Sequence, residues 1–479
     1  MNPAEFDLIV IGSGPGGFAA ALAGANAGAR TALIEAARSV GGACVHRGTI
    51  PSKALRETAL RVSRAHLGEG IARFELRADV ELKRLMGQVD SIARAHAGTM
   101  HRQLERAGVR LIHGRARFLA PGKLEVRQLQ GPPLALAAPA IVIATGSRPR
   151  QTPAVPIDHE NILDSDSILS MLYLPRSLAV LGGGVVACEY ASIFAHLGVA
   201  VTIIDRAPRP LAFLDGEVTA NFVERFCDAG GTYLGEREIE GVRWDGVSRV
   251  DIKLRDGGLV TSDKVLAALG RVANVAALEL ERAGLALGER GLLGVDERCR
   301  TGVAGIWAVG DVIGPPALAA TAMEQGRRAA RDALGLALGH PPEMAPVGIY
   351  TVPEIAQVGI AEAEARARGE AVVVGRAHFD EVARGRINGD VRGLLKLVVR
   401  CSDRRMLGAQ MVGEGATEIV HVAQVALIAG WAVDEFVDNV FNFPTLAEAY
   451  RLAALDAADQ LAPGRARAAE WPVPAVRSA

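Results

Sequence analysis

Two glycine-rich segments of this chain have the residue types and spacing to hold a nucleotide pyrophosphate. In the first, Gly12, Gly14 and Gly17 form a GxGxxG run; in the second, Gly182, Gly184 and Ala187 form GxGxxA. The first two glycines of such a turn let the backbone approach a pyrophosphate, the third position lets helix and strand pack closely, and the helix N-terminus faces the anion. One such run alone is weak, because glycine also serves ordinary strand-to-helix turns. Here each is followed, about twenty residues beyond its second glycine, by an acid, Glu35 or Asp205, where a carboxylate takes ribose hydroxyls. The repeated coincidence predicts two dinucleotide sites in one chain.

The second site gives a mixed signal about its nucleotide. Asp205 favours the free 2′-hydroxyl of NAD and repels the 2′-phosphate of NADP, whereas Arg206 and Arg209 have the charge to pair with that phosphate. As residue types alone, the two arginines fit a solvated face equally well.

These residues need strands and helices to aim them. The segments from Phe6 and from Arg176 each read as a short apolar strand, a glycine turn, an Ala-rich helix and a second apolar strand ending in the acid. Between them, residues 88–108 read as helix, 109–118 as strand, and AIVIATGSRP from Ala140 as a buried strand running into a turn. GIWAVGDV from Gly305 and the helical run 319–334 suit a return to the first domain, which makes the second nucleotide domain an insertion. From Pro346 the pattern changes to alternating strands, LLKLVVR and LGAQMVG, with helices from Ala416 and Thr445.

Composition bounds the rest. A chain of 479 residues exceeds one ordinary core and predicts several domains. A net charge of −1 with mixed signs supplies no field for nucleic acid or anionic lipid, and the apolar stretches are broken by glycines and charges, so neither is an expected partner. Cys44, Cys188, Cys227, Cys299 and Cys401 are odd in number and scattered, which argues against a secreted disulfide framework and against zinc, and fits a reducing cytoplasm. Glu418 and His421 share helical spacing but are too few to hold a metal.

The segment GGACVHRGTIPSKALRE, from Gly41, resembles the active-site helix of the FAD-dependent pyridine nucleotide-disulfide oxidoreductases. ATGSRP, GIWAVGDV and YTVPEIAQVG match further motifs in that family's order. The likeness spans residues 6–461 and implies an α/β fold of two Rossmann-type domains, for FAD and NAD(P), plus a C-terminal α+β dimerisation domain. Residues 1–150 and 271–345 are then the FAD-binding domain, 151–270 the NAD(P)-binding domain and 346–462 the dimerisation domain, with 463–479 a disordered tail. A homodimer or higher homo-oligomer is expected.

The chain departs from the family where disulfide reduction is done. Family members that reduce disulfides carry two cysteines in this segment, one exchanging with substrate and one against the flavin. Here Cys44 stands alone and Thr49 takes the flavin-proximal place. The family's C-terminal HPTxxE appears as FPTLAE, with Phe443 in place of the basic histidine and Glu448 without its partner. Two losses argue that disulfide chemistry is absent. Together GxCxHxGTIPSKALR, DSDSILSM, LAFLD, GIYTxPE and FNxPTxAEAYRxAAL resemble the soluble, Si-specific pyridine nucleotide transhydrogenases.

That resemblance implies ping-pong hydride transfer between NADPH and NAD through FAD, with NAD(H) and NADP(H) taking turns at the Gly182 turn. Lys53 matches the lysine beside the flavin, where its charge would favour the anionic reduced ring, and Glu189 matches its ion-pair partner. As residue types alone, they read as a surface lysine and a solvated helix acid. Asp311 matches the acid that binds the ribityl chain, and Ala116 and Gly146 match backbone positions along the adenosine and pyrophosphate. Gly42, Thr145, Gly270, Gly310 and Ala319 are further cofactor positions carried over. Cys44 reads as a packed thiol, with a redox role as the alternative, and His46 as turn packing. Two other functions remain open: an NAD(P)H reductase of a quinone or similar small acceptor, favoured by Asp205 if NADP is excluded, and a flavoprotein with a binding or assembly role, disfavoured by Lys53, Glu189 and both turns.

Overall fold

A computed structural model describes residues 4–66, 82–342 and 344–462. The sequence's first apolar segments become the centre of an eight-stranded sheet. Leu8–Ile11, Thr31–Glu35 and Ala140–Ile143 are buried along their whole lengths, as parallel strands covered on both faces must be. Arg110–Ala120 joins one side of these strands and Ile306–Ala308 the other. The chain thus comes back to this sheet after a long excursion. Helix Ala319–Ala333 then packs on helix Pro15–Asn26 so closely that a Cβ at Gly326 would overlap Gly16 O.

The excursion holds a second, five-stranded parallel sheet. Its order is Thr232–Leu234, Ala200–Ile204, Ser177–Leu181, Lys264–Ala267 and Ile162–Asp164. Phe194, Phe222 and Phe226 lie in its core, each side chain contributing about 1.5–3 kcal/mol by burial. The strands that lead the chain out and back, Ser147–Pro149 and Arg271–Ala273, pair antiparallel as a two-stranded ribbon.

The last sheet is antiparallel: Val347–Ile349, Ile355–Gly359, Met406–Val412, Leu394–Arg400 and Val372–His378. Helices Ala416–Ala429 and Glu448–Leu461 cover it, with Phe379, Phe436 and Tyr450 fully buried between. The helix expected over 88–108 runs Leu82–Arg106, and the one expected from Thr445 begins at Glu448. Two antiparallel features lay outside the sequence expectations: Lys123–Gln128 with Leu134–Ala137, and a meander of Ile239–Trp244, Val250–Leu254 and Leu259–Ser262. Their strands are only four to six residues long, and Lys123–Gln128, Ile239–Trp244 and Val250–Leu254 are interrupted by charges, so no long apolar run marks them. The tail expected at 463–479 lies outside the described residues. Among the described residues no helix is long and apolar enough to cross a membrane.

Candidate active site

The first turn is built so that no side chain obstructs it. Gly12 has φ +100°, and a Cβ there would overlap Ala144 O; a Cβ at Gly17 would overlap Gly12 O. Gly14 differs, since nothing lies within 4 Å of its Cβ position: glycine there leaves open space over the start of helix Pro15–Asn26. That helix has neither a side-chain cap nor an acid in its first turn, so its unpaired N–H groups and positive dipole end remain for an anion. Glu35 folds against the turn, its Oε2 accepting from Ser13 N at 3.0 Å and Ser13 Oγ at 2.5 Å, and its Oε1 from Ala37 N at 2.7 Å. Gly41 N donates to Ser13 Oγ at 3.0 Å, and a Cβ on Gly42 would stand 2.8 Å from Gly14 Cα. The segment after Val40 is thereby laid on the same cradle.

That segment carries Cys44, Thr49 and Lys53. Cys44 is half-buried and, like the other four cysteines, free. Burial pushes its thiol above the ordinary value, against a hydrogen bond from Thr49 and the charge of Lys53. His46 Nε2 meets Val40 O at 2.8 Å and closes the short helix Gly42–His46 on itself, which is a packing role. On helix Thr49–His66, Lys53 Nζ lies 2.6 Å from Glu189 Oε2, which comes from helix Val185–His196 of the inserted domain. Glu189 is 5% exposed, and its other oxygen accepts from Tyr350 N at 2.9 Å. The Tyr350 ring lies under Lys53 Nζ, 4.9 Å from centroid to nitrogen. One cation is thus held by three parts of the chain: a helix of the first domain, a helix of the second, and the segment between the first two strands of the last sheet.

Asp311 lies in the short helical turn Gly310–Ile313 that follows strand Ile306–Ala308, and accepts from Ser147 Oγ at 2.6 Å. Ser147 Oγ in turn accepts from Arg271 Nε at 2.7 Å, and Arg271 Nη2 donates to Ser147 O at 2.9 Å. Gly310 N donates to Gln325 Oε1 at 2.9 Å, and Ala319 opens the helix containing that glutamine. Ala116 is buried within strand Arg110–Ala120 and pairs with Val126. Gly270 O accepts from Arg150 N at 2.9 Å, beside the ribbon.

The second turn repeats the first in outline, with alanine in place of the last glycine. Gly182 has φ +104°, Gly184 again has nothing within 4 Å of its Cβ position, and Ala187 is fully buried. Asp205 immediately follows strand Ala200–Ile204 and lies over Gly183. Arg206 is exposed and has no hydrogen-bond or ion-pair partner among the described residues. The expectation for Arg209 changes: its Nη1 donates to Thr219 Oγ1 at 2.7 Å and its Nη2 to Ala212 O at 2.9 Å and Leu214 O at 3.0 Å. Its guanidinium therefore shapes the loop before helix Gly216–Asp228 and is not free for a phosphate.

Three contributors escaped residue-level expectation. Ser13 stands at a variable position of the glycine pattern, whereas Tyr350 and Ser147 fall inside YTVPEIAQVG and ATGSRP at positions for which the sequence predicts no role. Phe443 is 66% exposed, and Glu448 Oε2 is buried with no partner, so no base assembles there within this chain.

FAD fits the residues present. Thr145 Oγ1 is buried without a partner beside the first turn, and the space over Gly14 and Gly146 is clear of side chains. Gly12, Gly14, Gly17, Glu35, Thr145 and Asp311 are the residues that would hold it.

Comparison with known proteins agrees across nearly the whole chain. A family model described as pyridine nucleotide-disulphide oxidoreductase matches residues 6–326, and its dimerisation domain matches 345–454. A soluble pyridine nucleotide transhydrogenase of Mycobacterium tuberculosis is 40% identical over 459 residues, covering 95% of this chain and 98% of the relative. That of Serratia proteamaculans is 40% identical over 463 residues, covering 95% and 99%. Among solved structures, LpdA from Mycobacterium tuberculosis matches with TM-score 0.87 and 27% identity, covering 94% of this chain and 99% of that one. The flavoprotein disulfide reductase RclA from Escherichia coli matches with TM-score 0.84 and 27% identity, covering 94% and 99%.

Proposed function

The chain belongs to the pyridine nucleotide-disulphide oxidoreductase family, and on that premise we propose that it exchanges hydride between NADPH and NAD through FAD without a redox disulfide. When bound, FAD supplies the two-electron carrier between nicotinamides that use one site in turn. The observation that carries this reading is the pairing of Lys53 with Glu189 in a segment where Thr49 replaces the flavin-side cysteine. Lys53 places a fixed positive charge beside the redox centre, Glu189 fixes its direction, and Tyr350 supports it from below. The turn from Gly182 to Ala187 receives each nucleotide's pyrophosphate at the start of helix Val185–His196. Cys44, held protonated by burial, packs against Thr49 and takes no electrons.

Stopped-flow reduction of the holoenzyme by NADPH, followed by reoxidation with an NAD analogue, tests this. Both half-reactions are expected, and failure of either sinks the proposal. A second reading, an NADH-dependent reductase of a quinone, is favoured by Asp205 lying at the ribose end of the second turn. Rapid quinone turnover with none for nicotinamide analogues would select it. The reading also makes the protein a homodimer, through the matched dimerisation domain, and places it in the cytoplasm, in keeping with five unpaired thiols.

A further inference from the structure

The two nucleotide turns are near repeats that treat their acids differently. In the first, Ser13 stands between the leading glycines and grips Glu35 with both its N–H and its hydroxyl, while Ala37 N holds the other oxygen. The carboxylate is pinned. In the second turn the same place is Gly183. A Cβ there would overlap Asp205 Oδ2 and lie 3.0 Å from Asp205 Cγ, so the carboxylate occupies the room that the missing side chain leaves. Nothing grips it there. Its one hydrogen-bond partner among the described residues is Tyr233 Oη at 3.5 Å, and that hydroxyl's proton goes to Ala207 O at 2.8 Å.

The main chain around this acid is fixed. Asp205 N donates to Leu234 O at 3.0 Å, Arg237 N donates to Asp205 O at 2.9 Å, and Leu211 N ties the following loop to Gly183 O at 2.8 Å. The carboxylate therefore moves by side-chain rotation alone, between staggered wells. Arg206, next in the chain, is exposed and unpaired among the described residues, whereas Arg209 is committed to its own loop.

We propose that Gly183, Asp205 and Arg206 form a two-position selector for the adenine ribose, resting on the reading that both nucleotides use the second turn. With the carboxylate against Gly183, the site takes the free 2′-hydroxyl of NAD. With the carboxylate rotated outward, it takes the 2′-phosphate of NADP, which Arg206 neutralises. A pinned acid like Glu35 would hold the first state only, since a carboxylate facing a phosphate is repelled. Gly183 makes both states available at one site.

The test is binding of NAD+ and of NADP+ to oxidised holoenzyme, where no hydride moves, read by perturbation of flavin fluorescence. Gly183→Ala drives the carboxylate off the turn, so the dissociation constant for NAD+ should rise about tenfold while that for NADP+ changes less than about threefold. Arg206→Gln should weaken NADP+ by about tenfold or more and leave NAD+ within about threefold. Asp205→Asn, which keeps the shape and removes the charge, should tighten NADP+ relative to NAD+ and stands in if Gly183→Ala does not fold with its flavin. Equal weakening of both nucleotides by Gly183→Ala, an unchanged ratio in Asp205→Asn, or unchanged NADP+ affinity in Arg206→Gln overturns the selector. These shifts in an enzyme that passes no hydride would overturn the exchange reading and leave the selector standing. Exchange with unshifted ratios would do the reverse.

Discussion

Lys53 is held by contacts that leave its charge little freedom, and that makes the charge testable. Lys53→Met strips Glu189 of its cation and leaves a 5% exposed carboxylate with Tyr350 N as its remaining donor. Loss of one oriented charge at a reacting centre is expected to slow flavin reduction about a hundredfold. The flavin midpoint potential should fall by about 30 mV, the equivalent of about 1.4 kcal/mol for a two-electron couple. Potentiometric titration giving an unchanged potential would reject the role assigned to Lys53. Cys44 gives a complementary prediction. Because burial raises its thiol above the ordinary value, the thiolate is scarce at neutral pH and grows only as pH rises through that raised value. Iodoacetamide at pH 7.5 should alkylate Cys44 more slowly than free cysteine, and reduction should show no long-wavelength thiolate-to-flavin band. The appearance of that band would mean that Thr49 does not occupy the flavin-side position.

At the scale of elements, helix Gly216–Asp228 shows how the inserted domain is fastened to the last sheet. Asp215 caps the helix by accepting from Glu217 N and Val218 N, and the same carboxylate receives Lys396 Nζ, with both oxygens at 2.9 Å. Lys396 is 2% exposed on strand Leu394–Arg400, and Glu217 joins it at 2.9 Å and Arg376 at 3.1 Å. Removing a buried cation from such a cluster leaves uncompensated carboxylates, so Lys396→Met should cost about 3–5 kcal/mol. Thermal unfolding with an unchanged midpoint would contradict this. Burial alone would raise Glu217, but Arg376 and Lys396 outweigh it and hold its carboxyl below the ordinary range. Its contribution is therefore present above the unfolded carboxylate value and is lost as pH falls through the folded one. Hydrogen exchange in helix Gly216–Asp228 should accelerate as pH falls below the ordinary carboxylate range, ahead of the first sheet.

These elements also mark what the sequence could announce. The glycine turns, Glu35, Asp205 and the buried parallel strands were legible because each is written within a short span, as spacing or as an unbroken apolar run. Tyr350 was not, because its hydrogen bond to Glu189 crosses 161 residues and no local pattern encodes it. Nor was the fate of Arg209, which turns on where Leu214 and Thr219 place their oxygens. The meander 239–262 escaped because its strands mix apolar and polar residues over only four to six positions, too few for a period to stand out.

Over the whole molecule, the C-terminal domain presents apolar side chains that no described residue covers. Val425 is 63% exposed and Ile428 58%, three residues apart on helix Ala416–Ala429, and Val440 is 96% exposed. A matched dimerisation domain predicts that a second copy covers them. Val425→Asp combined with Ile428→Asp should convert a dimer to monomers in light scattering at micromolar concentration. A dimer that persists would place the interface elsewhere.

The ribbon of Ser147–Pro149 and Arg271–Ala273 bears on how the inserted domain is tied to the first sheet. Both leads of the inserted domain leave the first sheet at one point, and Arg271 rivets them, bonding Ser147 on one side and Ser165 at 3.1 Å on the other. In mechanical terms this is a shared anchor: one guanidinium ties the two leads to each other and to the inserted domain. Asp311, bonded to Ser147, is seated at its root.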